Sequence, residues 1–134
     1  MNTITLVGNL TRDFELRFGD GYAVANSGLA VNKRWFNKST NDWDEKTTFF
    51  NISVWGESET SNVVESLGTG DRVIVTGEMQ VRSYDDDNGE KRTAAEVRVS
   101  EMGPALRWAT ASVTRNPKSE SGSSKVYDTP EEKF

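Results

Sequence analysis

From Thr47 to Trp55 the chain reads TTFFNISVW, and its residues sort by parity. Thr48, Phe50, Ile52 and Val54 fall on one side of an extended strand, and Thr47, Phe49, Asn51, Ser53 and Trp55 on the other. A period of two held over the whole stretch points to a half-buried strand. The same alternation runs through DRVIVTGEMQVRSY, where Val73, Val75, Gly77, Met79 and Val81 form the inner row. Arg72, Ile74, Thr76, Glu78, Gln80, Arg82 and Tyr84 form the outer row. TITLVGNL, YAVANSGLAV and AAEVRVS are further β-branched runs, parted by FGDG, NKSTND and DDDNGE. Within the last of these, Asn88-Gly89 suits the two positive-φ positions of a tight hairpin.

Between Trp55 and Asp71 the period changes. SETSNVVESL places Val63, Val64 and Leu67 on one face of a short helix, with Gly68 positioned for a left-handed cap. Three strands, one helix and two strands predict an all-β domain over residues 1–111: a five-stranded Greek-key barrel of the OB type, with the helix between strands 3 and 4. From Ser112 onward, apolar periodicity gives way to Ser, Pro and charge, and residues 112–134 are expected to form a flexible tail.

A chain of 134 residues, 34% of them hydrophobic, suffices for one core. It has no Cys and no His, which excludes disulfides, thiolate metal centres and any catalysis built on imidazole. No cofactor, metal or enzymatic activity is expected. The run MNTITLVGNL lacks a basic leader and no long apolar run follows, so a cytoplasmic location is expected. The net charge of −5 argues against a generally basic nucleic-acid binder. Residues 1–111 hold 12 Lys and Arg against 17 Asp and Glu, so any nucleic-acid surface must be a local patch.

Such a patch is legible in the outer rows. The segment 34–56 holds three of the four tryptophans amid polar residues. Phe49, Trp55 and Tyr84 fall outward by parity, among Arg72 and Arg82. Rings alternating with cations suit single-stranded nucleic acid, whose bases stack at about 1–3 kcal/mol each while cations follow the phosphates. The other reading open to them is cover for a second layer, either a subunit interface or the helix. Taken as a set they favour binding. Trp35 falls inward by alternation from Leu29 and Val31 unless a bulge turns it out, and Trp43 sits among polar residues expected to form a loop.

Two apparent motifs dissolve on inspection. Aligning Gly89 with the glycine of a calcium loop puts Tyr84 and Ala95 in ligand positions, so Asp85, Asp86 and Asp87 read as a solvated hairpin tip. GTGDRV leads into a strand and has Val73 where a nucleotide fingerprint needs its third glycine.

ITLVGNLTRDFELRF (4–18), VANSGLAVNKRW (24–35), EKTTFFNISVWGE (45–57) and LGTGDRVIVTGEMQVRSYDDDNGEKR (67–92) together resemble the homo-oligomeric single-stranded DNA-binding proteins of bacteria and phages. GPALRWATASV (103–113) is similar to the extra C-terminal strand of their actinobacterial branch, which clamps neighbouring subunits. The resemblance implies a homotetramer that coats single-stranded DNA without sequence preference in replication, recombination and repair. It implies stacking by Trp35, Phe49, Trp55 and Tyr84, and phosphate contacts near Arg17, Lys33, Arg34, Arg82 and Arg92, with Arg72 and Lys38 beside them. The family's acidic tip recruits replication and repair proteins. Here the end is YDTPEEKF, in which Phe134 is the candidate partner-binding residue and Lys133 replaces the family's proline.

Overall fold

The computed structural model describes residues 2–117; Phe134 and the YDTPEEKF end lie outside them. Six strands and one helix follow in order: β1 (Thr3–Leu10), β2 (Glu15–Gly19), β3 (Tyr22–Asn37), β4 (Asp42–Trp55), α1 (Glu57–Ser66), β5 (Arg72–Asp85) and β6 (Lys91–Pro104). The helix therefore follows the fourth strand, not the third, because ELRFG forms a short strand of its own. β2 pairs only with β3, through the Asp20-Gly21 turn, where Gly21 takes φ 78°. β2 is exposed along its whole length, and its alternation, Leu16 and Phe18 between polar neighbours, is only five residues long. Beyond Pro104 residues 105–117 form no strand, although a strand was expected over 103–113. Only the Ala105 amide extends the sheet, donating to the Arg72 carbonyl at 2.9 Å.

The sheet order β1-β5-β6-β4-β3-β2 closes into a barrel because β1 also pairs with β3, Asn9 opposite Ala30 and Leu10 opposite Leu29. Gly8 lets the two chains meet: a Cβ there would strike the Ala30 carbonyl. The inner rows bury Leu10, Leu29, Ile52, Val73, Val75 and Val97 in one cluster, with Phe50, Met79 and Val99 packed against it. Full burial of each such side chain contributes about 1.5–3 kcal/mol.

Both long hairpins outrun the barrel. The β3–β4 ladder continues to Asn37 opposite Asp42, so the expected polar connection NKSTND narrows to a turn over residues 38–41, with Asn41 left-handed (φ 59°), and Trp43, expected in a loop, lies in paired strand. Asn37 and Asp42 help close this turn: Asn37 Nδ2 donates to Asp44, and the Trp43 amide donates to Asp42. The β5–β6 ribbon projects likewise, so Val81, assigned by alternation to the core, is 63% exposed. Ser53, assigned outward, is fully buried, because outer-face neighbours close over it.

Helix α1 starts at Gly56 (φ 114°), with Glu57 and Glu59 at its positive end. Thr60 is its one fully buried residue, and Val64 of the expected apolar face stays partly exposed. Gly68 does not supply the left-handed cap. The chain turns extended at Leu67, which packs against the core, and carboxylates satisfy the next amides: Asp71 accepts from Gly68 at 2.9 Å and Asp13 from Thr69 at 2.8 Å. The left-handed position falls instead on Gly70 (φ 88°).

At the β5–β6 tip the turn is wider than a two-residue hairpin, and only Gly89 is left-handed (φ 80°). Asp86 organises it by accepting from the Asn88 and Glu90 amides, each at 2.9 Å, and from Arg92 Nε at 2.8 Å. The Arg92 guanidinium, followed by the Glu90 amide, holds the Asp86 carboxyl below the usual carboxylate range.

Because its folded pKa is depressed, Asp86 should support this tip fully above the unfolded pKa of about 3.9 and lose that support as pH falls through the lower folded value. Amide resonances of Asn88 and Glu90 are expected to titrate with a midpoint below about 3.9, and the Asp86→Asn variant to abolish that titration. A Cβ at Gly77 would strike the Arg98 carbonyl beside the register shift between β5 and β6. Gly77→Ala should therefore cost about 1–3 kcal/mol in urea unfolding.

Candidate nucleic-acid interface

In a sheet, residues directly opposite one another share a face. The registers thus place Arg17, Tyr22, Val24, Ser53, Trp55, Arg82, Tyr84, Glu96 and Arg98 on one outer surface crossing β2, β3, β4, β6 and β5. A groove of about 580 Å³ opens there, lined among others by Arg12, Arg17, Tyr22, Trp55, Arg82 and Glu96.

Trp55 is held by contacts on several sides. Its Nε1 donates to Ser53 Oγ at 3.2 Å, and that hydroxyl donates to Glu96 Oε2 at 2.7 Å. The Arg98 guanidinium lies 4.4 Å from the indole centroid, and the Tyr22 ring is 6.0 Å away at 48°. Tyr22 in turn lies on Gly19, where any Cβ would strike the phenol ring. These contacts fix the indole while leaving Trp55 37% exposed. A stacking platform benefits from this, since a ring already oriented loses little freedom when a base arrives.

The other sequence-derived residues disperse around this centre. Phe49, 70% exposed, lies six positions along β4 from Trp55 and on the same side. Tyr84 stands on the β5–β6 ribbon opposite Arg92, whose side chain is engaged with Asp86 and lies 4.0 Å from Glu90. The β3–β4 ladder has no bulge, so Trp35 keeps to the Leu29 side of the ribbon, with Lys33 Nζ 5.9 Å from its ring centroid. Arg34 lies on the Phe49 side and Lys38 in the ribbon turn. Arg72 is outside the groove: its guanidinium lies 4.8 Å from the Trp108 ring, near α1 and the segment after β6.

Tyr22, Glu96, Arg98 and Arg12 are groove or platform residues that the sequence reading missed. Glu96 and Arg98 were accessible to it: Val97 and Val99 alternate inward in AEVRVS, so their neighbours must face out. Arg12 gave no such signal, because it sits between strands. Among the described residues, no cluster of three His, Cys, Asp or Glu side chains could hold a metal ion, and no helix is long and apolar enough to cross a membrane.

Residues 1–105 match the single-strand binding protein family. A single-stranded DNA-binding protein of Paenarthrobacter aurescens is 50% identical over 118 residues, covering 87% of this chain and 68% of that protein. One from Mycolicibacterium smegmatis is 49% identical over 119 residues, covering 87% and 72%. In three dimensions the chain is similar to a small single-stranded DNA-binding protein from Streptomyces coelicolor (TM-score 0.66, 28% identity, 78% of this chain and 94% of that one). It is also similar to a Plasmodium falciparum SSB in complex with single-stranded DNA (TM-score 0.69, 25% identity, 76% and 92%). With the barrel, its inserted helix and its ring-bearing outer face in place, the chain belongs to the single-strand binding protein family, in its actinobacterial branch.

Proposed function

We propose that this protein binds single-stranded DNA without sequence preference and without catalysis, protecting it in replication, recombination and repair. The observation that carries the reading is Trp55: a braced, partly exposed indole in a groove lined by Arg12, Arg17 and Arg82. Bases stack on Trp55, with Phe49 and Tyr84 extending the path, and the arginines meet the phosphates. Stacking uses the faces common to all bases, so sequence does not matter. The overall acidity keeps contact local, since phosphate affinity arises only where cations cluster.

We further infer assembly as a homotetramer in the cytoplasm. Val7 and Ile74 face each other across β1 and β5 on the outside of the barrel, 38% and 45% exposed. Leu106 and Trp108, just after β6, are more exposed still. Apolar area of this kind, away from the groove, suits contact between subunits. Recruitment of replication or repair proteins through Phe134 remains a proposal of the sequence.

Titration with oligothymidylate should quench tryptophan emission, and duplex DNA should not. Trp55→Ala is expected to weaken single-strand binding by about 1–3 kcal/mol with the assembly mass unchanged by light scattering. Three groove arginines predict that log affinity falls with log salt at a slope of about −2. A changed mass with unchanged affinity would assign the ring to a subunit interface.

A further inference from the structure

Arg12 lies between β1 and β2, outside any strand, yet it is held from both faces of β3. On the inward side the fully buried Ser27, opposite Ile52 in the ladder, donates its hydroxyl to the Arg12 carbonyl at 2.7 Å. On the outward side the Arg12 guanidinium lies on Gly28, where a Cβ would come within 2.6 Å of Nη1 and would also strike the Thr11 hydroxyl. The chain on either side is tied down as well. The Thr11 amide donates to the Gly28 carbonyl at 2.9 Å. The Asp13 carboxylate accepts from the amide and the hydroxyl of Thr69, at 2.8 and 2.7 Å. An exposed, flexible cation thus has a fixed backbone and a flat seat.

The seat falls between two rings of the outer face. Gly28 pairs with Asn51, in the outward row that runs from Trp55 through Ser53 and Asn51 to Phe49. Asn51 is four residues from Trp55 and two from Phe49, about 13 and 7 Å along the strand at 3.3 Å per residue. The carboxylates lining the groove are engaged elsewhere: Glu15 lies 3.7 Å from Arg17, and Glu96 accepts from Ser53. Among the described residues no ion pair includes Arg12. Its charge is therefore free for an anion that arrives from outside.

Building on the function proposed above, we propose that Gly28 is a positioning residue. By lacking a side chain it lays the Arg12 guanidinium between Trp55 and Phe49, where that group clamps one phosphate of a strand stacked on both rings. A guanidinium already oriented loses little freedom when the phosphate binds, and its N–H fork can meet two phosphate oxygens at once.

The test is a double-mutant cycle on the full chain, read by binding of labelled oligothymidylate of about 35 nucleotides across a range of salt. Arg12→Gln should flatten the log-log salt slope by about 0.7 and lower affinity about fivefold at 0.1 M salt, which is one phosphate contact extrapolated to 1 M. Gly28→Ala should produce the same two effects although it removes no charge. Its Cβ meets side-chain atoms and no backbone, so the urea midpoint should not fall. The two substitutions together should be no worse than either alone, because both remove one contact. Arg12→Lys, which keeps the charge, should keep the slope. If Gly28→Ala binds like the unaltered chain, or if the two losses add, Gly28 does not place Arg12 and the proposal is overturned. Full affinity and slope in Arg12→Gln, with Trp55→Ala impaired, would overturn it as well and leave the proposed function standing. Failure of the unaltered chain to bind the oligothymidylate would overturn that function itself, and this role with it.

Discussion

The closure of the sheet through β1 is the constraint on which everything else depends. Its N-terminal part pairs with β5, and its last two residues also pair with β3, with Gly8 admitting the close approach. That double pairing brings Leu10 against Leu29 and Val73, and the inner rows then have nowhere to go but inside. A small barrel consumes only part of each long strand. The remainder of β3, β4, β5 and β6 projects as two ribbons, which are free of packing duty and can carry rings in water.

The outer face converts this geometry into recognition chemistry. Ser53 is the pivot: fully buried though on the outward row, it accepts from Trp55 and donates to Glu96. A buried hydroxyl satisfied on both sides costs little and orients the indole above it. Glu96 thereby has a role that its charge alone would not suggest in a groove proposed to meet phosphates. Arg98 stacks on the same ring, in a contact of the kind that contributes about 0.5–2 kcal/mol depending on exposure.

Elsewhere opposite charges are spent locally. Asp86 binds Arg92 and two amides to shape the β5–β6 tip, so an arginine that looked available to phosphate has a prior partner. Arg72 and Arg107 flank Trp108 on the far side of the barrel. Of the many cations in the chain, the groove gathers only a few, which is how an acidic protein can present a local site for a polyanion.

Alternation by itself determined the sheet-forming segments, the inner rows that meet in the core and the outward positions of Phe49, Trp55 and Tyr84. This holds because a strand's side-chain period of two is a local property of extended backbone. The short edge strand β2 was not read, since its alternation of Leu16 and Phe18 with Glu15 and Arg17 spans only five residues and joins no core. Trp43 and its polar neighbours read as a loop because paired ribbon outside a core shows no hydrophobic signal. Tertiary structure alone decided which outward residues share a groove, that Ser53 is buried and Val81 is not, that Trp35 and Trp43 take opposite faces, and that Arg72 and Arg92 are drawn to other partners. Those outcomes depend on register, ribbon length and contacts between distant strands, which no local period encodes.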